Sequence, residues 1–301
     1  MRAFSVGSSR VVLHQADCLE VLAKMPEGSI DVVVTSPPYN LGVRYNSYDD
    51  RISRQDYLDW MALWAARVRR VLAEEGSLFL NLGGKPSDPW GPFEVALRLR
   101  GILELQNVIH WIKSIHIKKE DAGDYGLLKG DLTVGHYKPI MGHRYLNDCH
   151  EYVFHFTRTG RVKLDRLALG VPYQDKSNIA RWRAAGQGLH CRGNTWFVPY
   201  KTIRCRDLQR PHPASFPVAL AANCLKLHGL RPGLRVLDPF LGIGHAGVAA
   251  VECGADFIGV ETDPEYFETA CAQIARARPR PGADPAPLQE PPGTARPQRF
   301  P

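Results

Sequence analysis

Two stretches of this chain hold residue types that can do chemistry. The first is Thr35-Ser36-Pro37-Pro38-Tyr39-Asn40. Ser36 offers a hydroxyl oxygen and Pro37 keeps its backbone carbonyl, so two acceptors stand side by side. Such a pair suits an amine whose lone pair is delocalised into a heteroaromatic ring. Holding both hydrogens draws the nitrogen toward tetrahedral geometry and aims its lone pair at an electrophile. Pro38 stiffens the turn, and Tyr39 supplies a ring on which an extruded base can stack. The chain has no Pro-Cys pair to provide a nucleophilic thiol, so this chemistry calls for no covalent enzyme intermediate. Taken alone, Pro37-Pro38-Tyr39 is equally well explained as a stiff strand-to-loop turn.

The second stretch is Asp238-Pro239-Phe240-Leu241-Gly242-Ile243-Gly244-His245-Ala246-Gly247. It contains Gly-x-Gly-x-x-Gly, and an acid, Glu261, ends the next apolar run. Glycines let a backbone turn tightly and approach a nucleotide-like ligand, while the acid suits ribose hydroxyls. The pattern alone also fits a helix-packing turn. Asp238-Pro239-Phe240 intervenes before the glycines, which places a carboxylate to meet a cationic group such as the amino group of a methionine moiety. The local pattern does not by itself exclude a nicotinamide dinucleotide.

The elements that must position these residues are legible from periodicity. Arg10–His14 reads as a strand, followed by a short helix through Leu19, Leu22 and Met25. Ile30–Val34 is β-branched and nearly all apolar, as a strand buried on both faces should be. Two prolines cannot continue a central strand, so Ser36–Tyr39 sits on the loop at its carboxyl end. Residues 41–53 read as a polar surface loop. A helix with Tyr57, Met61, Trp64, Val68 and Val71 on one face comes next, with Arg69-Arg70 read as a solvated face. Ser77–Leu82 and Asn107–Ile112 are strands separated by a helix near Phe93–Leu99. The alternation resumes with a helix over 216–227, a strand over 235–238, a helix through Val251, the strand Phe257–Glu261 and a helix from Pro264 to about Ala277. Strands alternating with helices predict an α/β doubly wound, mostly parallel sheet.

Residues 113–210 interrupt this rhythm. They are rich in Lys and Arg and show one clear strand at 152–156. A stretch of this length without a regular pattern is usually functional in a compact domain. The division read here is 1–112, 113–210 as an inserted recognition region, 211–277, and a disordered Pro-rich tail over 278–301. Net charge is +7, which suits a polyanionic partner. Seven scattered cysteines without a Cys-x-x-Cys pair argue against a disulfide framework and a zinc site, and fit reduced thiols in a cytoplasm. His190, Cys191, His212 and His228 match no ligand spacing, so no metal is expected. No apolar run reaches the ~20 residues of a membrane span, and residues 1–12 show no secretory stretch.

Together the two stretches resemble the β class of DNA amino-methyltransferases, in which the catalytic tetrapeptide comes first and the Gly-rich cofactor turn late. Ser36-Pro37-Pro38-Tyr39 precedes Asp238–Gly244 here, and His212-Pro213-Ala214-Ser215-Phe216-Pro217 matches the segment that introduces the cofactor turn. The resemblance runs from about Val11 to Ala277. The order separates the chain from ribosomal RNA and protein-glutamine methyltransferases, which share a similar tetrapeptide but carry the cofactor turn first.

The resemblance implies a permuted seven-stranded-type methyltransferase sheet, S-adenosylmethionine as cofactor and double-stranded DNA as substrate. It assigns cofactor contacts to Asp17, Cys18, Thr35, His212, Ser215, Phe216, Asp238, Pro239, Phe240, Gly242, Gly244, Glu261 and Thr262. Asp17 would meet the adenine amine and Glu261 the ribose, although Asp17 is also a good helix cap. Ile243 and His245 depart from the pattern, standing where small hydroxyl residues are frequent. Asn40, Lys113, Lys138, Arg144, Arg204 and Arg206 are expected to touch DNA phosphates or guanines. A serine at the head of the tetrapeptide is the family's usual mark of cytosine N4 methylation, with adenine N6 the near alternative. A methyltransferase of RNA or protein, and a DNA-binding regulator with a vestigial cofactor site, are the remaining alternatives. A homodimer and a cognate restriction endonuclease are partners consistent with the family.

Overall fold

The computed structural model describes residues 1–43, 46, 50–121, 128–135, 143–173, 188–199 and 215–279. Lys138, Arg204, Arg206, His212 and the tail from 280 onward lie outside the described residues.

The chain opens with β1 (Arg2–Val6), β2 (Ser9–Gln15), α1 (Cys18–Lys24), β3 (Ile30–Thr35), α2 (Arg54–Val71), β4 (Leu72–Leu82), α3 (Gly91–Arg98) and β5 (Glu104–Ile112). Two small hairpins, β6 (Ile115–Ile117) with β7 (Leu132–Val134) and β9 (Val171–Pro172) with β10 (Leu189–His190), flank β8 (His150–Thr157). Then follow β11 (Thr195–Phe197), α4 (Val218–His228), β12 (Arg235–Asp238), α5 (His245–Glu252), β13 (Asp256–Glu261) and α6 (Pro264–Arg276).

Nine strands form one sheet in the order β1-β2-β13-β12-β3-β4-β8-β5-β11. The seven from β2 to β5 are the expected methyltransferase set, parallel except for β8, which runs antiparallel between β4 and β5. Sequence periodicity missed the two edges. β1 pairs antiparallel with β2, and β11 adds three residues parallel to β5 inside the basic region. Both are too short or too mixed in polarity to show a pattern.

The strand order decides where ligands go. β3 and β12 come from opposite ends of the chain yet pair at the sheet centre, Val32 with Val236 and Val33 with Leu237. Their carboxyl ends therefore lie side by side, the place where open α/β sheets bind ligands. All six residues of β3 are buried, since helices cover both faces. α1, α2 and α3 pack on one face around Trp64, Leu78 and Phe154, and α4, α5 and α6 on the other around Trp111, Phe257 and Ile274. Burying apolar area on two sides of one sheet gives ~25 cal/mol per Å², which is why β3 is so nearly all apolar. Its charged exception, Asp31, accepts from Arg231 at 2.8 Å and from the Arg235 backbone at 2.8 Å.

Arg70 corrects an expectation. It is not a solvated charge: its guanidinium donates to the carbonyls of Leu22, Ala23 and Met25 and so closes the carboxyl end of α1. Within the stretch read as a surface loop, the described residues include a buried acid. Asp50 is buried, and its carboxylate accepts from the backbone amides of Asn40, Leu41 and Val43.

Candidate functional site

The ends of β2, β3, β12 and β13 open into one cleft. It is lined by Ser36, Pro37, Pro38 and Tyr39, by Asp238, Pro239, Phe240, Gly242, Glu261 and Thr262, and by Asp17, Cys18, Ser215 and Phe216. Two motifs far apart in sequence thus share a single space.

Thr35 and Gly244, expected to touch a ligand, are not among the residues that line the cleft. Thr35 is fully buried, and its hydroxyl donates to Asp238 Oδ1 at 2.6 Å. Gly244 starts α5 with φ +91°, and a Cβ there would meet Ala270 at 3.0 Å. Gly242, at φ +52°, makes the turn itself. Its amide donates to Glu261 Oε2 at 2.7 Å, so the acid at the end of β13 holds the Gly-rich turn in place. The other Glu261 oxygen accepts from the amides of Thr262 and Asp263, each at 2.9 Å.

The electrostatics follow from burial. Asp238 is pushed up to about 7, first by loss of water around the carboxylate and against the pull of the Thr35 and Phe240 donors. Glu261 is raised for the same reason. Burial pushes the Cys18 thiol up to about 12, so it presents a neutral wall. Asp17 caps α1 by accepting from the Leu19 amide at 2.7 Å and still borders the cleft. A cleft with this many carboxylates and aromatic sides suits a ligand bearing cationic groups, ribose hydroxyls and a flat ring.

Asn40 is the non-glycine residue with positive φ, +57°, among those described. Asparagine tolerates that conformation, and its side chain bonds Ile52 in both directions, at 2.8 and 3.0 Å. These bonds shape the loop that follows the tetrapeptide. Lys113, also expected at DNA, is ion-paired with Glu151 at 3.0 Å and only 17% exposed. Arg144 is exposed, its guanidinium over the Tyr145 ring.

His245 gains an explanation. Its Nδ1 lies 2.6 Å from the Phe216 carbonyl, which can only accept, so Nδ1 carries the proton and the imidazole ties the 215–217 segment to the Gly-rich turn. Sequence reasoning missed several residues. Trp60 lines the cleft and its ring lies 5.6 Å from that of Phe240; it sits one turn from Tyr57 on α2, a signal that was available. Tyr266 also lines the cleft. Tyr57 donates to the Pro38 carbonyl at 2.8 Å. Asn81 and Glu151 meet the Tyr39 hydroxyl at 2.7 and 3.3 Å, a convergence of three strands with no local sequence signal.

A DNA methylase family model for N6 and N4 methyltransferases matches residues 30–272. The type II methyltransferase M.ScaI of Streptomyces caespitosus is 28% identical over 275 residues, 89% of this chain and 82% of its own length. The DNA adenine methyltransferase YhdJ of Escherichia coli (strain K12) is 26% identical, over 89% of this chain and 83% of its own. The fold is shared with the cytosine-N4-specific PvuII DNA methyltransferase at TM-score 0.62 and 20% identity, covering 88% of this chain and 86% of that one. It is shared also with the Thermus thermophilus protein TTHA0409 in complex with S-adenosyl-L-methionine, at TM-score 0.56 and 24% identity over 89% and 94% of the two chains. With the Ser36–Tyr39 and Asp238–Gly242 stretches meeting in one cleft and the family model spanning most of its length, this chain belongs to the S-adenosylmethionine-dependent DNA methylase family.

Proposed function

We propose that the protein methylates the exocyclic N4 amine of a cytosine flipped out of duplex DNA. One observation carries this reading: Ser36–Tyr39 and the Asp238–Gly242 turn line the same cleft. The cofactor supplies a methyl group on a positively charged sulfur, already activated for transfer. Asp238, Asp17 and Glu261 would hold it, and the raised Asp238 carboxyl fits that assignment, because a ligand ammonium restores the charge that burial disfavours. Phe240 and Trp60, packed against each other at the cleft wall, would offer an aromatic surface to the flat part of the ligand.

Ser36 Oγ and the Pro37 carbonyl accept the two amine hydrogens, and Tyr39 stacks on the base. Tyr57 fixes the loop through the Pro38 carbonyl, so these acceptors are positioned before substrate arrives. The serine supports cytosine. The recognition elements are assigned to residues 113–210, with Arg144 as an exposed candidate contact. Matches to type II methyltransferases support a cognate restriction endonuclease as a partner.

The second reading is adenine N6, favoured by the E. coli adenine methyltransferase among the relatives. Digestion of methylated DNA to nucleosides and mass spectrometry separates the two: N4-methylcytosine supports the proposal, and N6-methyladenine alone overturns it.

A further inference from the structure

Behind the tetrapeptide runs a chain of hydrogen bonds whose far end no step above uses. Lys113 Nζ donates to Glu151 Oε1 at 3.0 Å. Glu151 Oε2 accepts from Asn81 Nδ2 at 2.7 Å and from the Tyr39 hydroxyl at 3.3 Å. Asn81 Nδ2 donates also to Tyr39 Oη at 2.7 Å, and the Tyr39 and Ser36 hydroxyls are 2.6 Å apart. Little of this chain meets solvent: Glu151 is 13% exposed at its side chain and Asn81 is 4% exposed.

Counting protons fixes the direction. Tyr39 has one hydroxyl proton. Directed at Glu151, it leaves Tyr39 Oη to accept from Asn81 and from Ser36. The Ser36 proton then points toward Tyr39, and the Ser36 lone pairs remain for the substrate amine. Asn81 has both amide hydrogens committed, while its Oδ1 is buried without a partner among the described residues. A purely structural amide would not be held with its acceptor unpaired; here the orientation of Nδ2 is what the surroundings preserve.

We propose that Glu151 is a positioning residue and the final proton acceptor of methyl transfer, acting on the amine through Tyr39 and Ser36. The inference rests on the methyl-transfer reading. As the amine nitrogen forms its bond to the methyl carbon, the carbon–sulfur bond breaks and its electron pair stays on sulfur. The amine now carries a proton to lose. That proton passes to Ser36 Oγ, the Ser36 proton to Tyr39 Oη and the Tyr39 proton to Glu151. Both hydroxyls end neutral, and Glu151 returns the proton to solvent between turnovers.

The test is single-turnover transfer of tritiated methyl from S-adenosylmethionine to unmethylated genomic DNA, in H₂O and D₂O, with the full chain. Wild type is compared with Glu151→Gln, Tyr39→Phe and the double variant, with cofactor affinity and thermal midpoint measured alongside. Each single change is expected to slow transfer about 100-fold, and the double change no more than about threefold further, since both break one relay. A solvent isotope effect should be present in wild type and absent from the variants. Losses that multiply in the double variant, or an isotope effect that survives in Tyr39→Phe, overturn the relay. Should Glu151→Gln fail to fold, the Tyr39→Phe isotope effect decides alone. No label in DNA with wild type overturns the methyl-transfer reading, and the relay with it.

Discussion

Thr35 Oγ1 donates to Asp238 Oδ1 across 2.6 Å, and this bond ties the carboxyl end of β3 to that of β12 beneath the cleft. It links the strand that leads into the Ser36–Tyr39 loop to the strand that leads into the Gly-rich turn. Asp238 at about 7, raised chiefly by burial, is only partly ionised near neutrality. A cationic ligand binds the ionised form. Cofactor affinity should therefore rise with pH by up to about tenfold per unit below 7 and level off above it. Asp238→Asn should bind weakly with a flat profile, and Thr35→Val should move the midpoint upward, since the hydroxyl lowers the carboxyl. Calorimetric titration from pH 5.5 to 8.5 reads all three, and a flat wild-type curve would contradict the assignment.

Ser36 and the Gly-rich turn line one cleft, and the proposed function gives them separate tasks. Ser36→Ala removes an acceptor for the amine and leaves Asp238, Glu261 and Gly242 untouched. Methyl transfer should fall about 10²- to 10³-fold, with cofactor affinity within about threefold of wild type. A parallel loss of cofactor binding would move Ser36 out of the amine site.

Stability should fall in acid because of two buried imidazoles. His155 Nε2 and His228 Nδ1 each lie 3.0 Å from Ser77 Oγ, and burial lowers them from 6.5 to about 3 and about 4. Asn107 faces the other nitrogen of His155 and Arg231 that of His228, so both rings are held neutral with their N–H groups directed at Ser77. The unfolded chain takes up protons below 6.5 and the folded chain does not, so each His costs about 1.4 kcal/mol per pH unit as pH falls. Asp238 opposes this. Its raised folded value binds a proton that the unfolded carboxyl does not hold until about 3.8, gaining a similar amount per unit below 7. Of these three groups, two lose and one gains as pH falls, a balance of about 1.4 kcal/mol lost per unit between 6.5 and 4 from these three alone. The raised Glu261 adds to the gain, and the lowered His14 and His150 add to the loss. Asp238→Asn should steepen that slope about twofold. Urea midpoints at pH 8, 6 and 5 measure it, and an acid-stabilised wild type would be inconsistent with the buried pair.

Much of this architecture is readable from the chain because burial on two faces writes a one-dimensional signal. Ile30–Thr35 could hardly be anything but a central strand, and two prolines after it could only be a loop. The adjacency of the two motifs came from their order rather than their residues. What escaped reading was made by tertiary convergence. Asn81, Glu151 and Lys113 sit on or beside three strands of different sequence distance, and only the antiparallel insertion of β8 brings Glu151 to Tyr39. Nothing local marks such a meeting. Arg70 was misread for a related reason: helical periodicity tells which side a residue faces, not whether a neighbouring helix ends there.

Arg69 and Arg70 are adjacent on α2 and should behave as opposites. Arg69 is exposed. Arg70 donates to Leu22 O at 2.5 Å, Met25 O at 2.8 Å and Ala23 O at 3.2 Å, carbonyls at the end of α1 where the helix supplies few amide donors. Arg70→Met keeps the apolar stem and removes the donors, so it should lower the unfolding free energy by about 1–3 kcal/mol. Arg69→Met should change it by less than about 0.5 kcal/mol. The effect on function is indirect: α1 begins at Asp17 and Cys18, which border the cleft. Loosening its far end should weaken cofactor binding a few-fold in Arg70→Met and leave Arg69→Met unchanged. Urea midpoints and calorimetry on the two variants settle it, because equal behaviour would mean that the cap on α1 carries no weight.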